Sequence, residues 1–159
     1  MTNNDLVDLR RRCLVPAGVT MILPRPPLSP ENVPEGWCCA YANFFEKYGL
    51  FSPILACILE MLYCLGFAFP QMCPNFVRHV LALFTRAQNV NREFGYHDLL
   101  QLCQVKTNAR SDQGTYYISA RPGSLIIRGL KACRETNWQA KYFFFRWTVI
   151  QSVILTQRG

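Results

Sequence analysis

At 159 residues and a net charge of +7, the chain is sized for one domain, and with half its residues apolar and 13% aromatic, wholesale disorder is excluded. Eight cysteines, several inside apolar segments, and no charged-then-apolar leader point to reduced thiols in the nucleus or cytoplasm, not a secreted disulfide framework. Residues 1–50 carry five Lys/Arg against five Asp/Glu, 51–100 three of each, and 101–159 nine against two. The late excess implies a polyanionic partner, nucleic acid or an acidic protein, with a solvated basic face as the plainer alternative.

The stretch NNDLVDLRRRCLV predicts a short helix capped by Asn3 or Asn4. Acidic Asp5 and Asp8 sit early in it, Arg10, Arg11 and Arg12 late, and Leu6, Leu9 and Cys13 share one face. Pro16 and Gly18 end it. From Val19 to Gly36, five prolines predict an extended, polyproline-like arm that covers the rest. WCCAYANFFEKYGL predicts a helix of about three turns with Trp37, Tyr41, Phe44, Phe45 and Tyr48 as its apolar stripe and Gly49 as its left-handed cap. SPILACILEMLYCLGF predicts a second, central helix, with Ser52 as N-cap, Pro53 at the first helical position and Gly66 at the end. Its apolar run approaches bilayer length, but Pro53, Glu60, Gly66 and Pro70 interrupt it, so a buried core helix is expected and not a membrane span.

After Pro74, NFVRHVLALFTRAQ predicts an amphipathic helix capped by Asn75, with Phe76, Val80, Leu83 and Phe84 inward and Arg78, Arg86 and Gln88 outward. GYHDLLQLCQ predicts a short fourth helix that buries Leu99, Leu100 and Cys103. The period then changes. Strands over 115–121 and 125–130 are expected to form a hairpin across Pro122–Gly123, with a third strand in KYFFFRW. The fold class is α+β, about four to five helices packed on a small antiparallel three-stranded sheet. Residues 1–36 read as helix and arm, 37–147 as the main domain, and 148–159 as a tail.

Chemistry-bearing residues are present without the spacing that chemistry needs. Cys73, His79, His97 and Cys103 are zinc-type ligands, but structural zinc sites favour pairs two to four apart, so no metal and no cofactor are expected. His79 and His97 read as helix-surface and first-turn residues. Asp98, Asp112 and Glu135 lack the neighbouring-strand placement that metal-dependent strand transfer requires, and no catalytic residue is assigned. The best candidate site is basic and aromatic: Arg121, Arg128, Lys131, Arg134, Lys141 and Arg146 interleave with Tyr116, Tyr117, Trp138 and the Tyr142–Trp147 run. Sheets that bind single strands stack bases on exposed rings and hold phosphates with nearby cations. Alternation along the last strand puts Tyr142, Phe144 and Arg146 on one face and Lys141, Phe143, Phe145 and Trp147 on the other. Both faces are apolar at the centre, so Phe143, Phe144 and Phe145 are expected to be core.

The order LVDLRRRCLVPAGVTMILPRP, PEGWCCAYANFFEKYGLFSP, LGFAFPQMCPNFVRHVLALF and NWQAKYFFFRW resembles the plant gypsy-type transposon domain, a transposase or gag-like region of plant retroelement reading frames. The likeness covers about residues 6–147. Its more diagnostic parts are VPEGWCCAYANFF, the Pro74–Asn75 helix start, and Trp138, Lys141, Phe143, Phe144 and Phe145. The resemblance implies a non-enzymatic, gag-like structural or interaction module with possible self-association and no ligand site. Longer members continue into charged, coiled-coil-like regions, and TVIQSVILTQRG lacks that continuation, so a shortened or domesticated copy with an incidental tail is expected. The alternative reading is a nucleic-acid-binding module using the basic 101–159 region.

Overall fold

The computed structural model describes residues 1–52, 54–108, 114–124 and 137–147. It is α+β: five helices with a three-stranded antiparallel sheet and a separate two-stranded one. Helix α1 spans Asn3–Arg12, and its cap is Thr2, not Asn3 or Asn4. Thr2 N–H donates to Asp5 Oδ2 at 2.7 Å while Asp5 N–H donates to Thr2 Oγ1 at 3.3 Å. These reciprocal bonds satisfy two donors at the helix start and hold the Asp5 carboxyl below its ordinary range. Leu6, Leu9 and Cys13 are buried on its inner face.

The first correction concerns the arm. Val19–Ile22 is strand β1, paired antiparallel with strand β5, Tyr142–Trp147, in the register Val19 to Trp147 and Ile22 to Phe144. The second concerns WCCAY, where Cys38–Tyr41 is strand β2 on the other side of β5, and only Ala42–Glu46 is helical (α2). The residues between Trp37 and Tyr48 do have helical apolar spacing. Once β5 is placed, its inner edge offers Cys38–Tyr41 a backbone ladder and a buried surface, and that tertiary gain outweighs local preference. The ladder runs on through Ala42 N–H to Lys141 O at 2.9 Å.

The sheet order is therefore β1-β5-β2, with the last strand at the centre. Phe143, Phe144 and Phe145 are 2%, 0% and 6% exposed. Phe143 and Phe145 join the main core, which also takes in Leu9, Phe44, Ile58 and Phe76. Phe144 faces the other way, between Ile22 and Cys39. Of its same-face neighbours, Tyr142 meets the proline-rich segment, its Oη donating to Leu28 O at 3.5 Å, and the Arg146 guanidinium lies 4.9 Å from the Trp37 ring centre. Beyond Ile22 the arm thus reaches this face at Leu28, and Phe144 on the same face is fully buried.

Helix α3 is Ala56–Leu65, later than expected. Ser52 does not cap it; its N–H donates to Cys13 O at 3.1 Å and ties this loop to the end of α1. Pro53 lies outside the described residues. Gly66 ends the helix at φ +72, a left-handed cap that a side chain would strain. Nor is α3 the most deeply set helix: Ile58, Met61 and Leu62 are buried, but Tyr63 is 87% exposed. That place belongs to α4, Asn75–Asn89, which buries Asn75, Phe76, Val77, His79, Val80 and Leu83. No helix among the described residues is long and apolar enough to cross a membrane. Helix α5 is Tyr96–Leu102, with Leu99 buried and Leu100 only partly so.

The second sheet pairs β3, Cys103–Thr107, with β4, Tyr116–Ala120. Among the described residues β4 pairs with the strand before it, because α5 runs directly into an extended segment that meets β4 in antiparallel register. The expected strand over 125–130 lies outside the described residues. Gly123 takes φ +80, which the Pro122–Gly123 turn requires.

Candidate functional site

The proposed basic-aromatic surface divides into parts. Arg128, Lys131 and Arg134 lie outside the described residues. Arg121 is exposed overall, but its Nε–H is aimed at Leu100 O (2.7 Å) and Cys103 O (3.1 Å). It thereby satisfies carbonyls left open where α5 ends. Arg146 lies over Trp37, and Lys141 is exposed at the start of β5. The rings are committed to packing. Trp138 is buried edge-on against Tyr41 at 4.9 Å, and Tyr116 stacks on Phe67 at 4.2 Å. Lys141 thus stands just before β5 and Arg146 near its end, while Arg121 serves a helix end elsewhere.

Helix α4 is joined to β4 by polar bonds. Asn75 was expected to cap the helix; Pro74 holds that position, and Asn75 sits one residue inside, buried. Its Nδ2 donates to Ile118 O at 2.8 Å, while Cys73 N–H donates to Tyr116 O at 2.7 Å. Both acceptors lie on β4, so these bonds fasten the start of α4 to that strand. The Asn75 Oδ1 and Ser119 Oγ atoms are buried without a hydrogen-bond partner among the described residues.

His79, expected on the helix surface, is buried: its Nδ1–H donates to Asn75 O at 2.7 Å. Burial lowers its pKa below 6.5, the neighbouring Arg78 adds to that, and the bond to Asn75 opposes it. A neutral imidazole that donates one helix turn back is a packing group. The sequence signal was there: position 79 lies between Phe76 and Val80 on the apolar arc, and only its polar type argued for exposure.

Burial raises Cys39 to about 12 and also raises Cys13, Cys38, Cys57 and Cys103, which moves these five thiols away from reactivity. Among the described residues no group of three or more His, Cys, Asp and Glu side chains could hold a metal ion. Asp98 accepts from Gly95 N–H at 2.9 Å and so caps α5; Asp112 and Glu135 lie outside the described residues. An apolar pocket beside Val15, Val19, Ile54, Phe143 and Trp147 has about 20 Å³ of interior space, enough for one water molecule.

The three stretches that carry the family resemblance all do structural work. VPEGWCCAYANFF supplies β2 and α2, Pro74–Asn75 fastens α4 to β4, and the Trp138–Phe145 stretch fills the core. In comparisons with known proteins, no family model and no solved structure matches the chain. It is similar to an uncharacterized chloroplastic protein of Arabidopsis thaliana, 28% identical over 144 residues that make up 91% of this chain, and it spans 18% of that relative's length.

Proposed function

We propose that this chain is a non-enzymatic structural or interaction module, derived from a plant retroelement and similar to a gag-like segment. What supports the reading is the use made of the motif residues. Trp138, Phe143, Phe144, Phe145 and Asn75 all act as packing or fastening groups. A sequence pattern that encodes a scaffold, with its buried thiols raised and its buried imidazole kept neutral, suits a body that presents a surface to a partner. In a gag-like module that partner is another copy. Sedimentation velocity over a wide concentration series is the test: reversible growth of the sedimenting species supports the reading, and a strict monomer at the highest concentration sinks it. The module acts in the nucleus or cytoplasm, which a tagged chain viewed in plant cells would check against a chloroplast pattern.

The second reading, a nucleic-acid-binding module using the 101–159 region, is favoured by the nine cations against two acids there and by the exposure of Lys141 and Arg146. Replacing Lys141 and Arg146 together by Gln would weaken nucleic-acid binding if this region is the contact surface.

A further inference from the structure

We propose that the outer side of α4, together with Arg92 just beyond it, is a contact surface for the phosphate backbone of a nucleic acid. This goes beyond the module reading and does not depend on self-association. From Asn75 to Arg92 there is no carboxylate. The side turned away from the core presents Arg78, Thr85, Arg86, Gln88 and Asn89, all exposed. Arg78, Thr85 and Asn89 lie at i, i+7 and i+11, one stripe along the helix, with Arg86 to its side. Arginine, hydroxyl and amide donors of this kind make most contacts to phosphodiester oxygens.

The end of α4 fixes Arg92 in place. Asn91 takes φ +52, Arg92 N–H donates to Ala87 O at 2.9 Å, and Asn91 N–H donates to Gln88 O at 3.0 Å. This double bond pattern folds the chain back over the last turn and makes Arg92 part of the same rigid end.

Arg78 is the telling residue. It sits four residues into α4, near the end where the helix dipole is positive and a cation is disfavoured. It also helps keep His79 uncharged. Local structure gives it no compensation, whereas a bound phosphate would. Of the arginines near the N-terminus, Arg10 donates to Pro16 O and Val19 O, Arg11 meets Asp8 at 3.6 Å and Arg12 meets Glu46 at 3.0 Å, while Arg25 is exposed in the proline-rich segment. Among the described residues, Arg78, Arg86 and Arg92 have no acidic side chain at ion-pair distance. Val90 is the one large apolar residue strongly exposed at this end, which fits phosphate contact better than insertion into a lipid surface.

The test is fluorescence anisotropy of the full chain with labelled 20-nucleotide single-stranded RNA, single-stranded DNA and duplex DNA, from 50 to 200 mM salt. Three phosphate contacts predict a log–log salt slope of about −2 on single strands and nearer −3 on duplex, so affinity falls about twentyfold to fortyfold across that range. The triple variant Arg78→Gln, Arg86→Gln, Arg92→Gln, confirmed folded by its thermal melt, should remove most of that slope. Arg11→Gln should leave it unchanged. Undetectable binding at 50 mM salt, or equal binding by the triple variant, overturns the proposal. So does loss of binding with Lys141→Gln and Arg146→Gln instead. Phosphatidylserine vesicles captured as strongly as nucleic acid, through the same three arginines, would overturn it in favour of a membrane surface.

Discussion

The two sheets of this molecule are built on opposite principles. The three-stranded sheet joins segments from both ends of the chain, Val19 to Trp147 and Tyr41 to Tyr142, and is cohesive because β5 is apolar on both faces and covered on both. The β3–β4 pair joins near neighbours in sequence and is held to α4 by directed polar bonds from Asn75 and Cys73. Charge divides along the same line. Residues 1–52 hold five cations and five acids, with Arg11 and Arg12 each paired to one, whereas α4 carries two arginines and no acid, with Arg92 and then Glu93 following its end. One part of the molecule is occupied with its own integrity, and the other leaves charge available to a partner.

The comparison is broken most severely at Phe144. It is fully buried between Ile22 and Cys39, so Phe144→Ala should cost about 3–5 kcal/mol. Urea unfolding would read this as a lower midpoint for the whole domain. Should the variant lose less than about 1 kcal/mol, that face of the sheet is not closed in solution.

At the second sheet the expected loss is smaller and of another kind. Asn75→Ala removes the donor to Ile118 O and leaves a buried carbonyl unpaired, for about 1–3 kcal/mol. Hydrogen exchange should speed up in β4 and the first turns of α4 while β5 keeps its protection. Uniform acceleration in both sheets would show that they unfold as one unit.

A pH series sharpens the contrast further. The folded pKa of His79 is depressed below 6.5, so the unfolded chain takes up a proton first as pH falls. The contribution of its neutral, buried state is complete above 6.5 and is lost as pH drops from there toward the lower folded value. Urea midpoints from pH 7.5 to 5 should therefore fall, and His79→Leu should remove that slope.

The smallest effect belongs to the Arg12–Glu46 pair, which links α1 to α2 at 3.0 Å on a partly exposed surface. Arg12→Gln should cost under about 1 kcal/mol, and less in high salt. A larger loss in a thermal melt would mean that the pair sets the position of α1.

Elements with short-range causes were legible. Helices α1, α4 and α5 follow from apolar spacing, and the Gly66 and Gly123 turns from residue type. The buried Phe143–Phe145 run was readable because alternation left both faces of one strand apolar. Strands β1 and β2 were not. MTNNDLVDL cannot reveal that VTMI downstream pairs with a segment more than a hundred residues away, and WCCAY has spacing compatible with a helix until β5 lies beside it. His79 and Asn75 were assigned from polarity, but a buried polar residue is stable when its bond is made, and those acceptors, Asn75 O and Ile118 O, exist only in the folded chain.

By itself, then, the sequence determined the α+β class, the core identity of the triple phenylalanine and the late surplus of positive charge, because periodicity and composition act locally or by simple sum. Only the tertiary structure decided that the last strand is central, that the proline-rich arm begins as a strand, and which arginines remain free of acids among the described residues. Those outcomes depend on which distant groups meet, and a ladder or an ion pair has no energy until both partners are in place.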